Sequence, residues 1–248
     1  MSGHSKWSQI KRKKGIKDQQ KGQIFSKISR LITLAVSETG IADPNNNIKL
    51  RMAIQQAKSV NMPKENIKRA IEKGSRPETE EILDLIYEAF WPGGVTFMIH
   101  ATTDNQNRTV YEIKKTLDRF GGKIGQKGSV SYMFKKCASL IFNKKEVDEN
   151  KVFKIADEIS SFDIDEDNDS FIVYFPYENI GRISHEKYPL ISNPPELDYK
   201  PNTYITINDP IKAKRILDIV SQLEDLDDVQ KVYSNFDVPE NIMKQIEV

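Results

Sequence analysis

The chain has 248 residues and a mass of 28.5 kDa, with 38 % apolar and 29 % charged residues, a balance that points to several small cores rather than one large one. Its single cysteine, Cys137, excludes an intrachain disulfide and a cysteine-based zinc site, and His4, His100 and His185 are too far apart in sequence for a local metal cluster. A formal net charge of +1 hides a division: residues 1–75 hold 16 Lys and Arg against 5 Asp and Glu, a net of +11, while the remainder, with 21 against 31, carries −10.

Residues 1–30 contain nine basic residues and one acid, Asp18, interleaved with Trp7, Ile10 and Ile16. A solvated face would balance such a run with acids, so its lack of compensation points to a segment that binds a polyanion, nucleic acid above all. No apolar run approaches the roughly 18 residues of a membrane span, and no apolar stretch follows the first basic residues until Ile24. A soluble, cytoplasmic chain without a secretory signal is expected. The segment before Lys17 has no apolar stripe and reads as a basic arm ordered by its partner.

From 17 to 39, Ile24, Phe25, Ile28, Leu31, Ile32, Ala35 and Val36 recur at helical spacing, with Gly40 placed to end the helix. A turn over 43–47 leads to a second helix bearing Leu50, Ala53, Ile54, Ala57 and Val60. Pro63 then opens a third helix with Ile67, Ala70 and Ile71, and Gly74 reads as its C-terminal stop. Residues 75–81 are polar, contain Pro77 and mark a domain boundary. Beyond them Val95, Phe97, Ile99 and Ala101 alternate as a strand with one buried face. Thr103 to Asn107 cap a helix with Val110, Ile113, Leu117 and Phe120, and Gly121-Gly122 ends it. Val130, Tyr132 and Phe134 alternate as a second strand, which completes an expected β-α-β unit. A further α/β series follows, with strands over 138–142, 163–165 and 171–175 and helices over 146–161 and 177–188. The chain closes with a strand at 204–207, a helix at 211–223 and a strand at 229–233. The expected class is α+β: a basic helical nucleic-acid-binding domain over 1–75, an α/β domain built from 82–135 plus 204–248, and an inserted ferredoxin-like α/β domain over 136–203.

Lys6, Lys11, Arg12, Lys13, Lys14, Lys17 and Lys21 suit phosphate contacts because each is a long cation able to displace counterions. Trp7 fits equally well as a base-stacking residue and as a packing residue for the helices. The third helix can act as a recognition helix that exposes Lys64, Lys68, Arg69 and Lys73. The glycine-rich run over 121–128 matches neither a Walker A loop nor a dinucleotide fingerprint and reads as a connecting loop. Asp104, Asn105 and Arg108 crowd one turn, where capping and pairing with a carboxylate are favoured over a functional role. Paired acids such as Asp227-Asp228 read as solvated. No catalytic residue, metal ligand or cofactor site is expected.

The opening Gly3-His4-Ser5-Lys6-Trp7, then Ile10-Lys11, Asp18 and Gly22 with Phe25-Ser26-Lys27, resembles the start of the YebC/PmpR family. The resemblance continues through Asn61-Met62-Pro63-Lys64, Pro92-Gly93-Gly94-Val95, Thr103-Asp104-Asn105, Asn107-Arg108-Thr109 and Gly128-Ser129-Val130 with Tyr132-Met133-Phe134. It ends with Leu223-Glu224-Asp225-Leu226-Asp227-Asp228-Val229-Gln230. It implies three domains and a DNA-binding transcriptional regulator; mitochondrial relatives are translational activators, and a ribosome-associated role is implied for bacterial members as well. Two departures stand out: Gln20 and Gln23 replace usual basic residues, and Ala89-Phe90-Trp91-Pro92-Gly93-Gly94 replaces a turn usually read as Gly-Tyr-Gly-Pro-Gly-Gly. The altered turn puts in question any role of the two lost glycines and offers an aromatic pair as a stacking surface. A non-enzymatic DNA-binding regulator is the first expectation. A translation factor that binds ribosomal RNA and assists elongation is the alternative, and the arm joined to acidic domains, without a base-reading signature, favours RNA on physical grounds.

Overall fold

The computed structural model describes residues 18–76, 82–166, 169–183, 188 and 194–246. Three helices come first: α1 (Asp18–Thr39), α2 (Ile48–Ser59) and α3 (Lys64–Gly74). Their apolar stripes bury one another through Ile28, Ile32, Val36, Leu50, Ala57, Met62, Ile67 and Ala70. Asn47 holds the α1–α2 turn from the inside. Its Oδ1 accepts from Leu50 N at 3.0 Å and caps α2, while its Nδ2 donates to Ala35 O at 2.7 Å and Ile41 O at 2.9 Å. Gly74 is not the left-handed stop expected from its position, because Ser75 caps α3 in a right-handed conformation. Its role is close approach: a Cβ at 74 would lie 2.6 Å from Thr33 O and 2.8 Å from Val36 Cβ, so only glycine lets α3 touch α1 here.

The chain divides into two compact units, Phe134–Pro201 and the rest, the latter joining the helical region to a split α/β body. In the body, β1 (Leu83–Trp91) and β2 (Val95–Thr103) form an antiparallel hairpin, followed by α4 (Gln106–Phe120) and the short β3 (Lys123–Ile124). The next four strands belong to the Phe134–Pro201 unit. The body resumes with β8 (Ile205–Thr206), α6 (Pro210–Glu224), β9 (Val229–Ser234), β10 (Phe236–Asp237) and α7 (Glu240–Ile246). The main sheet has the order β3-β1-β2-β9 with antiparallel pairs, and β8 pairs with β10 in parallel. Phe97 and Ile99 of β2 meet Ile113 and Leu117 of α4 and Ile216, Val220 and Leu223 of α6 in one core.

Three expectations for this body need correction. β1 was not foreseen, and it makes the start a hairpin rather than a β-α-β unit. The strand expected at Val130, Tyr132 and Phe134 is a 3-10 turn over Ser131–Met133 with Tyr132 exposed, and the next strand starts only at Phe134. β2 is buried along its length except at His100, because β1 and β9 cover its edges and both α1 and α4 pack against it.

The other unit comprises β4 (Phe134–Asn143), α5 (Glu149–Glu158), β5 (Asp163–Glu166), β6 (Ser170–Phe175) and β7 (Glu196–Pro201). Its sheet order is β5-β6-β4-β7, all antiparallel, so the connection β4-α5-β5 straddles β6 in a split β-α-β arrangement. The helix expected over 146–161 is shorter because Asp148 caps it, accepting from Asn150 N at 2.8 Å. The helix expected over 177–188 is a 3-10 segment, Tyr177–Arg182, with 184–187 outside the described residues.

A candidate nucleic-acid interface and its anchoring carboxylate

Of the residues singled out for nucleic-acid contact, Lys6, Trp7, Lys11, Arg12, Lys13, Lys14 and Lys17 lie outside the described residues. Lys21 is exposed on α1, and Lys64, Lys68, Arg69 and Lys73 are exposed on α3. The α3 cations stand outside because Ile67 and Ala70 turn the opposite stripe into the helical core. Lys68 lies 3.9 Å from Glu72, whereas Lys64 and Arg69 make no ion pair among the described residues. This face offers cations to a polyanion at little desolvation cost.

The helical region is fastened to the body by a residue that sequence reasoning assigned to solvent. Asp228 is only 1 % exposed. Its carboxylate accepts from Arg108 Nη2 at 2.8 Å, Thr109 Oγ1 at 2.7 Å, Thr103 Oγ1 at 3.1 Å and, from α1, Arg30 Nη1 at 2.8 Å. Its backbone takes part too, since Thr102 N donates to Asp228 O at 2.9 Å. Burial pushes the Asp228 carboxyl up, but hydrogen bonds from Arg108 and Thr109 and the charges of Arg30 and Arg108 hold it below the usual carboxylate range. Arg30 also donates to Asp227 O at 2.6 Å, and Lys27 donates to Glu224 O. Asp227 itself is exposed, as expected, so only one member of the acidic pair is buried. Asn105 caps α4 by accepting from Arg108 N at 3.1 Å, and Arg108 reaches Asp104 at 2.8 Å. That turn is therefore structural, and Arg30 is the partner the sequence did not reveal. Spacing gives no signal for it, because Arg30 and Asp228 are 198 residues apart.

A second buried carboxylate organises the glycine-rich run. Glu88 accepts from Gly128 N at 2.7 Å, Ser131 N at 3.0 Å and Val130 N. Burial raises its pKa, yet these three backbone bonds outweigh burial and hold it low. Within the run the Gly128 amide is taken by this carboxylate, and those of Gly121, Gly122 and Gly125 donate to Asp118 O, Leu117 O and Glu88 O, so the run is a connecting loop. The altered turn is also accounted for. Ala89 and Trp91 lie in β1, while the two left-handed positions fall on Gly93 and Gly94, with φ of 88° and 84°. Trp91 is buried and its Nε1 donates to Phe120 O at 3.0 Å, so the expected aromatic pair does not form a stacking surface. Cys137 is fully buried, and burial pushes its thiol up to about 12, which leaves it unreactive at neutral pH. Among the described residues no group of three or more His, Cys, Asp or Glu could hold a metal ion, and no helix is long and apolar enough to cross a membrane.

These features define an α+β protein with a cation-bearing helical region pinned to a split α/β body by a buried carboxylate. The chain belongs to the TACO1/YebC family: residues 5–77 match the family's N-terminal domain and residues 82–236 its second and third domains. A relative from Aquifex aeolicus is 39 % identical over 99 % of this chain and 100 % of its own length. Another, from Fusobacterium nucleatum, is 38 % identical over the full length of both. Both are named probable transcriptional regulatory proteins. The crystal structure of a conserved hypothetical protein from Aquifex aeolicus matches with a TM-score of 0.81 and 38 % identity, covering 90 % of this chain and 93 % of that one.

Proposed function

We propose that this protein is a non-enzymatic, nucleic-acid-binding regulator that contacts duplex DNA through its N-terminal basic region and acts in transcription control. The observation that carries the reading is the confinement of a +11 surplus to residues 1–75. Lys6, Lys11, Arg12, Lys13, Lys14, Lys17 and Lys21 neutralise phosphates along the arm, Trp7 stacks or inserts, and Lys64 and Arg69 extend the contact onto α3. The names of the relatives support the regulatory role.

The make-up of α3 favours a second reading. Its exposed residues are Lys64, Glu65, Lys68, Arg69, Glu72 and Lys73, and its one asparagine, Asn66, is half-buried. No exposed Asn or Gln is available for bidentate reading of adenine. Such a face offers cations for phosphates but no amide for adenine, which suits a ribosomal RNA surface as well as a duplex. Crosslinking of the native protein to chromosomal DNA, set beside its migration in a polysome gradient, separates the two. Recovery on chromosomal DNA with none in polysomes supports the regulator, and the reverse supports a ribosome-bound translation factor. Recovery with neither overturns both.

A further inference from the structure

A groove of about 240 Å³ runs between α1 and α3, lined by Ser29, Arg30, Asn66, Arg69, Lys73 and Ile82. Its lining brings together three cationic side chains and, among the described residues, no acid. The remainder of the chain outside residues 1–75 carries a net −10, so this concentration is local to the helical region.

Arg30 is the informative member. Its Nη1 has two N–H groups, and both are used, one on Asp227 O at 2.6 Å and one on Asp228 Oδ1 at 2.8 Å. The three N–H groups on Nε and Nη2 make no hydrogen bond among the described residues, and the side chain is 29 % exposed. The guanidinium is therefore fixed from behind by a buried carboxylate while part of its fork stays available at a solvent-open groove. A guanidinium already held in one orientation loses little freedom when it takes up an oxyanion. Arg69, one residue before the buried Ala70, faces the same groove and makes no ion pair among the described residues. Ser29 and Asn66 add a hydroxyl and an amide, groups that complete the coordination of a phosphate oxygen.

We propose that this groove binds one phosphate of the nucleic-acid backbone, received by Arg69 and the unused donors of Arg30. The inference rests on the nucleic-acid reading above and adds to it a fixed contact point separate from the arm. It also makes Asp228 a positioning residue for binding, because the carboxylate that pins the helical region orients the receiving guanidinium.

The test is the salt dependence of binding of the full-length protein to a DNA duplex and to an RNA hairpin of equal length, measured in parallel. Arg69→Gln is compared with Lys58→Gln, which removes the same charge from an exposed site on α2 outside the groove. One lost phosphate contact lowers the slope of log K against log salt by about 0.7–0.9, so between 50 and 200 mM salt Arg69→Gln should lose roughly threefold less affinity than the wild type. Lys58→Gln should keep the wild-type slope. Titration with inorganic phosphate should also shift the Nε–H resonances of Arg30 and Arg69 in a saturable way. A loss of slope with the duplex alone assigns the phosphate to DNA, and with the hairpin alone to RNA. Equal effects of the two substitutions, or none from Arg69→Gln in a protein that binds, would overturn the groove while leaving the functional reading intact. Failure of the wild type to bind either polymer would overturn the functional reading itself and the groove with it.

Discussion

The helical region and the Phe134–Pro201 unit differ in how their best-placed cations are held. In the Phe134–Pro201 unit Lys135, Lys136, Lys144 and Lys200 are engaged within the fold, while Lys145, Lys151 and Lys154 are exposed and make no ion pair among the described residues. Lys200, 8 % exposed, sits 2.9 Å from Asp163 and 3.0 Å from Asp165, with its ammonium 3.9 Å from the Tyr174 ring centroid. Lys144 pairs with Glu166 at 2.5 Å, and Lys135 lies 3.5 Å over the Phe162 ring. In the helical region Lys64 and Arg69 have no such partners among the described residues, and Arg30 spends one nitrogen on the body and keeps the others. Charge counted along a sequence measures how many cations there are. Their partners decide how many a polyanion can use.

Removing the anchor should disturb this contrast most. Asp228→Asn leaves Arg108, 43 % exposed, and Arg30, 29 % exposed, facing an uncharged amide. Because solvent screens both arginines, the cost is about 1.5–3 kcal/mol, that of lost hydrogen bonds to a charged group, rather than that of a fully buried pair. Urea unfolding should report a loss of that order, and a loss below about 1 kcal/mol would mean that the carboxylate is not what pins the helices. Glu88→Gln comes next. It weakens charge-assisted bonds to the amides of residues 128, 130 and 131, each worth about 1.5–3 kcal/mol, and should destabilise the body by a comparable amount. Both carboxyls are held low in the fold. Each therefore adds stability that is present above the unfolded value of about 4 and is lost as pH falls through the lower folded value. The urea midpoint of the wild type should fall on acidification through that window, and Glu88→Gln should flatten the fall.

Smaller effects concern binding alone. Replacing Lys13 and Lys14 by Ala should lower the salt slope by up to about 1.5, with an unchanged far-UV circular dichroism spectrum. Lys135→Gln and Lys144→Gln, which remove the same amount of charge from engaged sites, should leave the slope where it was. A slope that fell equally in both pairs would erase the distinction between free and engaged cations.

Much of the fold was legible because its determinants are local. The α1 stripe from Ile24 to Val36, the Asn105 cap and the α6 stripe of Ile216, Ile219, Val220 and Leu223 all follow from spacing within one element. β1 escaped because Asp84 and Glu88 interrupt its apolar pattern. Glu88 is buried there only because the amides of 128, 130 and 131, some forty residues away, hydrogen-bond its carboxylate in place of water. Asp228 escaped for the same reason, since its donors lie on α1, β2 and α4. Gly74 looked like a stop because a glycine required by a neighbouring helix is indistinguishable in sequence from one required by a turn. Arg69 was visible as an exposed cation, but the groove it borders depends on Arg30, whose placement only the tertiary structure reveals.

The central claim is that the N-terminal basic region is the nucleic-acid-binding surface. Its most direct test is the slope of log K against log salt for the full chain and for a chain lacking residues 1–16, after confirming that both fold. Four or five working phosphate contacts give a slope of roughly 3–4 for the full chain, and the shortened chain should bind far more weakly with a slope near that of the remaining α1 and α3 contacts. Undiminished binding of both DNA and ribosomes by the shortened chain, with the slope unchanged, would contradict the claim.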